Sequence, residues 1–262
     1  MGTELALGVV AMLVLAALVA GWIDAVVGGG GLVQLPALVI GMPDDTPVAT
    51  LGGTNKVPAS AGTLMATLTY LRTVTVDWSS ALPLMATAGL GSVCGAQLAQ
   101  HFPKQWFTPL LLVVVLVVGG YTVRRPQLGL RQELRHSSRA HTGRMVLIGG
   151  GIGLYDGLVG PGTGTFFTIA LVSVLGYGFL QATTLTKLAN LTTNLSAIAV
   201  FAHSGHVVWG LALTMAAANL CGGLLGARTA VRRGNAFVRK VFLVVIALLA
   251  AKLALDSVQL LL

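Results

Sequence analysis

Long apolar runs, interrupted at two places by clustered glycines, set the pattern of this chain. Residues 5–27 are almost wholly apolar and end in Asp24-Ala-Val-Val-Gly28-Gly29-Gly30-Gly31, and a shorter apolar piece, 32–41, is closed by Gly41-Met-Pro43 and the acidic pair Asp44-Asp45. Apolar segments at 48–71, 78–99 and 107–123 follow, with short turns between them. Runs of this length approach or exceed the roughly 20 residues that cross a bilayer as a helix. A polar, basic stretch at 124–144, opened by Arg124-Arg125-Pro126, reads as a surface linker. The pattern then returns as 145–159 before a second glycine cluster, 164–176 after it, and runs at 183–202, 207–227 and 238–257.

The second half copies the first. Asp156-Gly-Leu-Val-Gly160-Pro161-Gly162-Thr163-Gly164-Thr165 stands 132 residues beyond the Asp24 motif, so that Gly28 matches Gly160 and Gly30 matches Gly162. From Lys56 onward the offset is 131: Lys56 with Lys187, Trp78 with Trp209, Gly91 with Gly222, Gly95-Ala96 with Gly226-Ala227. Matching motifs and matching spacers point to a duplication. The expected organisation is a first repeat over 1–123 (hairpin 5–41, spans 48–71, 78–99 and 107–123), a linker at 124–144, and a second repeat over 145–262 (hairpin 145–176, spans 183–202, 207–227 and 238–257).

Composition agrees with a membrane class. Hydrophobic residues make up 55% of the 262 residues and charged ones 9%, against roughly 25% charged in a soluble domain. The net charge of +8 does not point to nucleic acid, because six of the 16 Lys and Arg lie in 124–144 and five in 228–240. Cytoplasmic loops of membrane proteins carry such clusters. The start of the chain reads as a retained first helix rather than a cleaved signal, since no positive residue precedes the apolar run.

The same charges fix a topology. If 124–144 and 228–240 are both cytoplasmic, 183–202 and 207–227 cross twice between them, and the pair 145–176 must return to the side it entered. Its arms, about 15 and 13 residues, reach roughly 20 Å each, too short for the hydrocarbon core of about 30 Å. A hairpin plus three spans is an odd number of crossings, so the halves face opposite ways. The expected fold is all-α and polytopic, with two inverted-topology repeats, and both termini lie outside a bacterial-type inner membrane. The first arm, 5–27, is long enough either to cross fully or to re-enter.

Glycine clusters at membrane depth have a use: irregular backbone is tolerated there only where it is buried in protein or lines a wet cavity. Helix ends in such a break present N–H groups and a positive dipole end, which suits an anion. Gly28, Gly29, Gly30 and Gly31 in one copy, and Gly160, Gly162, Thr163 and Gly164 in the other, are therefore candidate substrate contacts. The simpler alternative is close helix packing. Neither cluster follows a strand, and no G-x-x-x-x-G-K-[ST] occurs, so these are not nucleotide loops.

Lys56 and Lys187 lie several residues into apolar runs, beside Thr54 and Asn55 in one copy and Asn190 and Asn194 in the other. A lysine at the bilayer centre costs about 2.5–3.5 kcal/mol on insertion scales, so two at equivalent places suggest a use, and cations beside amides and hydroxyls suit an oxyanion. The alternatives are snorkelling to an interface or structural pairing with Asp24 or Asp156. Those two carboxylates, at the end of each arm before its break, are candidates for proton coupling or charge balance. Gly91-x-x-x-Gly95 and Gly222-x-x-x-Gly226 read as helix-packing motifs. His203 and His206 read as solvated loop residues, and Cys94 and Cys221 have no ligand-spaced partner for a disulfide or metal.

With these motifs in order, the chain resembles the TauE/SafE sulfite exporter family, also called the 4-toluene sulfonate uptake permease family. The resemblance rests on Gly21-x-x-Asp24 leading into Gly28–Gly31 and Pro36, on Thr54-Asn55-Lys56, on Tyr155-Asp156-Gly157 and Gly160–Gly164, on Lys187-x-x-Asn190, and on Gly205-x-Val-x-Trp209. It implies an inner-membrane carrier of small anions, typically sulfur oxyanions or organosulfonates such as sulfite, working by alternating access with the bilayer as its surroundings. No cofactor and no metal is implied, and a homodimer is left open. The alternative is an anion channel; an accessory subunit or an intramembrane enzyme has less support, since no His-Glu-x-x-His occurs.

Overall fold

The computed structural model describes residues 6–43, 45–99, 134 and 138–259, with the side chains of 138, 245, 246 and 248–259 outside that description. The expected span 107–123 and most of the expected linker lie outside the described residues. Within them the chain is helical: α1 (Leu7–Val27), α2 (Gly31–Gly41), α3 (Val48–Leu71), α4 (Trp78–Ala99), α5 (Ser138–Leu158), α6 (Thr163–Ala170) continued by a π turn over Leu171–Leu175, α7 (Phe179–His203) and α8 (Trp209–Gln259). Among the described residues three helices are long and apolar enough to cross a membrane, Leu7–Val27, Trp78–Ala99 and Trp209–Val244, and Gly31–Gly41 and Thr163–Leu175 are shorter apolar pieces.

Both glycine clusters break the helix. α1 ends at Gly28, whose φ of 85° is left-handed and whose N–H reaches back to Asp24 O at 2.8 Å. A left-handed residue at this position closes a helix, and glycine takes it without a Cβ penalty. The second break holds two such residues, Gly160 (φ 89°) and Gly162 (φ 82°), before α6 begins.

Two expectations are corrected here. The arm placed at 145–159 is a 21-residue helix that begins at Ser138, inside the segment expected as linker. At 1.5 Å per residue it is about 32 Å long, so shortness does not argue for re-entry of this arm; its partner over Thr163–Leu175 is short. The basic stretch 228–240 is not a loop. Helix runs through it, interrupted at Gly234 (φ 68°, ψ −167°), because arginines and alanines are good helix formers and one glycine suffices for the turn. Arg228, Arg232, Arg233 and Lys240 are exposed along it.

The packing exchanges partners between the halves. α4 lies along α5 and α1 along the first part of α8 in the most extensive contacts, followed by α3 with α8 and α4 with α7. Gly91 and Gly95 abut the main chain of Gly150 and Leu154, while Gly222 and Gly226 abut that of Leu18 and Trp22. The repeat offsets turn one set into the other: 18 and 22 become 150 and 154, and 91 and 95 become 222 and 226. Gly21 against the Asn219 carbonyl and Gly153 against that of Ala88 form another exchanged pair. Small residues let helix backbones approach this closely in a membrane protein, and the two G-x-x-x-G motifs do so here. At one end of α4, Asp77 caps the helix: it accepts the Ser79 N–H at 3.0 Å and the Ser79 and Ser80 hydroxyls at 2.7 Å. Those bonds, Ser79's first, hold its carboxyl below the usual range.

Candidate functional site

The two breaks meet. Gly28 and Gly164 touch backbone to backbone, and a Cβ on either would run into the other's main chain. The Thr165 N–H donates to Gly28 O at 3.1 Å, and the Thr165 hydroxyl approaches Val27 O at 3.4 Å. Gly31 packs against Pro161, and Gly162 faces the Leu32 side chain. The Thr163 hydroxyl donates to Gly160 O at 2.6 Å, and the Tyr155 hydroxyl to Pro161 O at 2.8 Å. Thr165 thus ties one break to the other, while the Thr163 and Tyr155 hydroxyls are spent within the second break.

Beside this crossing lie the four charged residues, and they pair across the halves. Lys56 Nζ, on α3, is 2.6 Å from Asp156 Oδ2 on α5. Lys187 Nζ, on α7, is 2.9 Å from Asp24 Oδ2 on α1 and also donates to the Asp24 main-chain oxygen. Neither lysine snorkels: Lys56 is 4% exposed and Lys187 has no exposed surface. Burial of an ion costs several kcal/mol before any attraction is counted, so a lysine held this deep requires its carboxylate. The Asp24 carboxylate also accepts the Thr63 hydroxyl at 3.2 Å. Lys56 reaches the second break as well, its ammonium lying 3.6 Å from where a Cβ on Gly160 would sit.

The remaining expected contacts divide. Thr54 and Asn55 flank Lys56 in sequence but engage other partners. Thr54 Oγ1 accepts the Val208 N–H at 3.1 Å. Asn55 Oδ1 accepts from Gln34 Nε2 at 2.8 Å, and Gln34 Oε1 accepts from Asn219 Nδ2 at 2.6 Å. Asn190 and Asn194 are buried on the α7 face that carries Lys187, and Asn190 Oδ1 is a buried acceptor without a partner among the described residues. His206 is not merely solvated: its Nδ1 lies 3.2 Å from the Thr50 hydroxyl, half-buried against the start of α3. Sequence reasoning missed Gln34, Thr63 and Asn219. Gln34, one amide amid Leu-Val-Gln-Leu-Pro-Ala-Leu-Val, carried the signal, since an amide at membrane depth needs a partner.

An apolar helical body, broken helices crossing inside it, and buried lysine–aspartate pairs at the crossing together define the class as a membrane transporter. The family model described as Sulfite exporter TauE/SafE matches residues 13–253, and the chain belongs to that family. It is 35% identical over 255 residues to the "Probable membrane transporter protein ORF9" of Sinorhizobium sp, covering 97% of this chain and 95% of that one. It is 34% identical over 243 residues to the "Probable membrane transporter protein YfcA" of Escherichia coli K12, covering 92% and 88%. The "Probable membrane transporter protein" of Haemophilus influenzae is 33% identical over 255 residues, covering 97% and 98%. No solved structure gives a significant match.

Proposed function

We propose that this protein is a secondary transporter that moves a small anion, a sulfur oxyanion or organosulfonate such as sulfite, by alternating access of two inverted repeats, with protons as the coupling ion. The observation that carries the reading is the crossed pairing of Lys56 with Asp156 and Lys187 with Asp24 at the two breaks. The family supports the substrate class, and the exchange of helix contacts between the halves supports repeats related by a two-fold axis, the arrangement in which transporters place their sites.

The charges dictate how such a site works. Two lysines and two aspartates sum to zero, so the empty site is neutral. An anion entering alone would leave a net charge in a low-dielectric interior, which is costly. Protonation of one aspartate releases its lysine, and the released ammonium is the positive partner an oxyanion needs. The loaded site, with one proton and one monovalent anion (bisulfite or a sulfonate) added, is neutral again. Empty and loaded forms can both rearrange, whereas a site holding only one of the two cannot do so cheaply. That is coupling by charge balance.

Proteoliposomes and labelled sulfite test the reading. Uptake should saturate with concentration and rise when the side holding the sulfite is made acidic, with accumulation above equilibrium. Flux that stays linear in concentration and only runs down its own gradient would establish a channel instead.

A further inference from the structure

The repeat makes the two ion pairs equivalent by position, yet their surroundings differ. The Asp24 end is the more fully engaged of the two. Lys187 donates to Asp24 Oδ2 and to the Asp24 main-chain oxygen; Oδ2 also accepts from Thr63; and the same main-chain oxygen receives the Gly28 N–H that closes α1. Lys187 thereby ties α7 to the residues that terminate α1, four residues before the contact of Gly28 with Gly164.

The Asp156 end is underfilled. Lys56 carries three N–H donors, and Asp156 Oδ2 is its only acceptor among the described residues. No donor other than Lys56 reaches Asp156 there. Asn194 is the repeat counterpart of Thr63 (63 plus 131), the residue that donates to Asp24, but its amide makes no hydrogen bond among the described residues although only 6% of it is exposed. One turn before Asn194 on the same helix face, Asn190 Oδ1 is buried without a partner among the described residues. The repeat offset carries the contact of Thr63 with Asp24 onto Asn194 and Asp156, and buried polar atoms are nearly always satisfied, so the spare donors of Lys56 together with these amides point to something that binds there.

We infer that the two pairs divide the work: Lys187–Asp24 is a latch that holds the breaks together, and Lys56–Asp156, with Asn194 and Asn190, is the end that takes the oxyanion. The inference rests on the transport reading above and deepens it. Two N–H groups of Lys56 and the amide of Asn194 supply the donors; Asp156 is the carboxylate whose protonation releases Lys56.

Removing one member of a buried pair strands the other charge, so the test removes both. The purified full-length chain is melted in detergent with and without sulfite, alongside Asp24→Asn/Lys187→Gln, Asp156→Asn/Lys56→Gln and Asn194→Ala. The latch double variant should lower the unliganded midpoint by about 5 °C or more, while the other should change it by less than about 2 °C. Sulfite should raise the midpoint of the unmodified chain by mass action, and that rise should vanish in Asp156→Asn/Lys56→Gln. Asn194→Ala should raise the half-saturating sulfite concentration about tenfold, the scale of one hydrogen bond to a charged group. Equal loss of midpoint in the two double variants would overturn the division, as would loss of the sulfite response in the latch variant at an unchanged midpoint. If neither sulfite, thiosulfate nor sulfoacetate moves the unmodified chain, the substrate reading fails. The two unliganded midpoints then still decide whether the pairs differ.

Discussion

The two halves of this molecule agree where backbone meets backbone and part company where side chains meet. Gly91 and Gly95 against α5, and Gly222 and Gly226 against α1, are the same contact made twice. The polar layer is different. Gln34, Asn55 and Asn219 form a buried chain of amides in one place, while their counterparts by the offsets are Phe166, Thr186 and Ala88. A scaffold whose close contacts each bear on the other half needs both sets of them. Side chains of the polar layer carry no such constraint and are free to diverge.

The largest effects should come from the shared scaffold. A Cβ at Gly95 or Gly226 would overlap a main-chain oxygen of the facing helix, Leu154 or Trp22, and backbone cannot swing aside as a side chain can. Gly95→Leu and Gly226→Leu should each remove most of the monodisperse protein in size-exclusion chromatography, and to the same degree. Gly210→Leu, with nothing within 4 Å of its Cβ position, should behave as the unmodified chain. Unequal losses at Gly95 and Gly226 would break the equivalence of the two interfaces.

Next come the lysines. Lys56→Ala and Lys187→Ala each leave a carboxylate buried without its cation, a loss of about 3–5 kcal/mol. Uptake of labelled sulfite into proteoliposomes should fall at least about 30-fold in both. Uptake at the unmodified level in both would remove the lysines from the site. The pairs sharpen the comparison because a 30-fold loss has two origins here, an absent anion partner at Lys56 and a loosened crossing at Lys187.

Much of the backbone plan was legible in the chain. Apolar runs with glycine, proline and aspartate at their ends place α3 and α4, because burial pattern and turn chemistry are both local signals. The helix breaks at Gly28 and Gly160 were legible for the same reason. The start of α5 at Ser138 was not: Ser-Arg-Ala-His-Thr-Gly-Arg is polar, and helical propensity without apolar periodicity looks like linker. Helix through 228–233 was hidden likewise by its charge. At the site, the sequence supplied the members but not the partners. Lys56 and Asp156 stand 100 residues apart, and only the crossing of the two breaks decides that each lysine faces the other half's aspartate. Gly28 needs no Cβ because Gly164 lies against it, a reason that no local pattern contains.

A moderate effect should follow from the unshared amide chain. Gln34→Leu leaves Asn55 Oδ1 and Asn219 Nδ2 without their partner, and a buried polar group left unmade costs about 1–3 kcal/mol. The melting midpoint should fall by several degrees. Phe166→Leu, at the counterpart position, exchanges one apolar side chain for another and should cost less, about 1 kcal/mol. If the two substitutions destabilise alike, the amide chain contributes nothing beyond its volume.

The smallest effect tests whether a difference between the halves matters at all. The Tyr70 hydroxyl donates to Ala25 O at 2.9 Å, fully buried, and its counterpart 131 residues on is Phe201, also buried. Tyr70→Phe therefore gives the first half what the second half already has at that position. Ala25 lies in the last turn of α1, where main-chain oxygens lack helical partners, so the lost hydrogen bond is not replaced from within the helix. The expected cost is about 1 kcal/mol, a fall in midpoint of a few degrees with sulfite half-saturation unchanged. A larger fall, accompanied by weaker sulfite binding, would mean that the end of α1 must be held from α3 for the crossing to form. The Asp24 end would then depend on two anchors rather than on Lys187 alone.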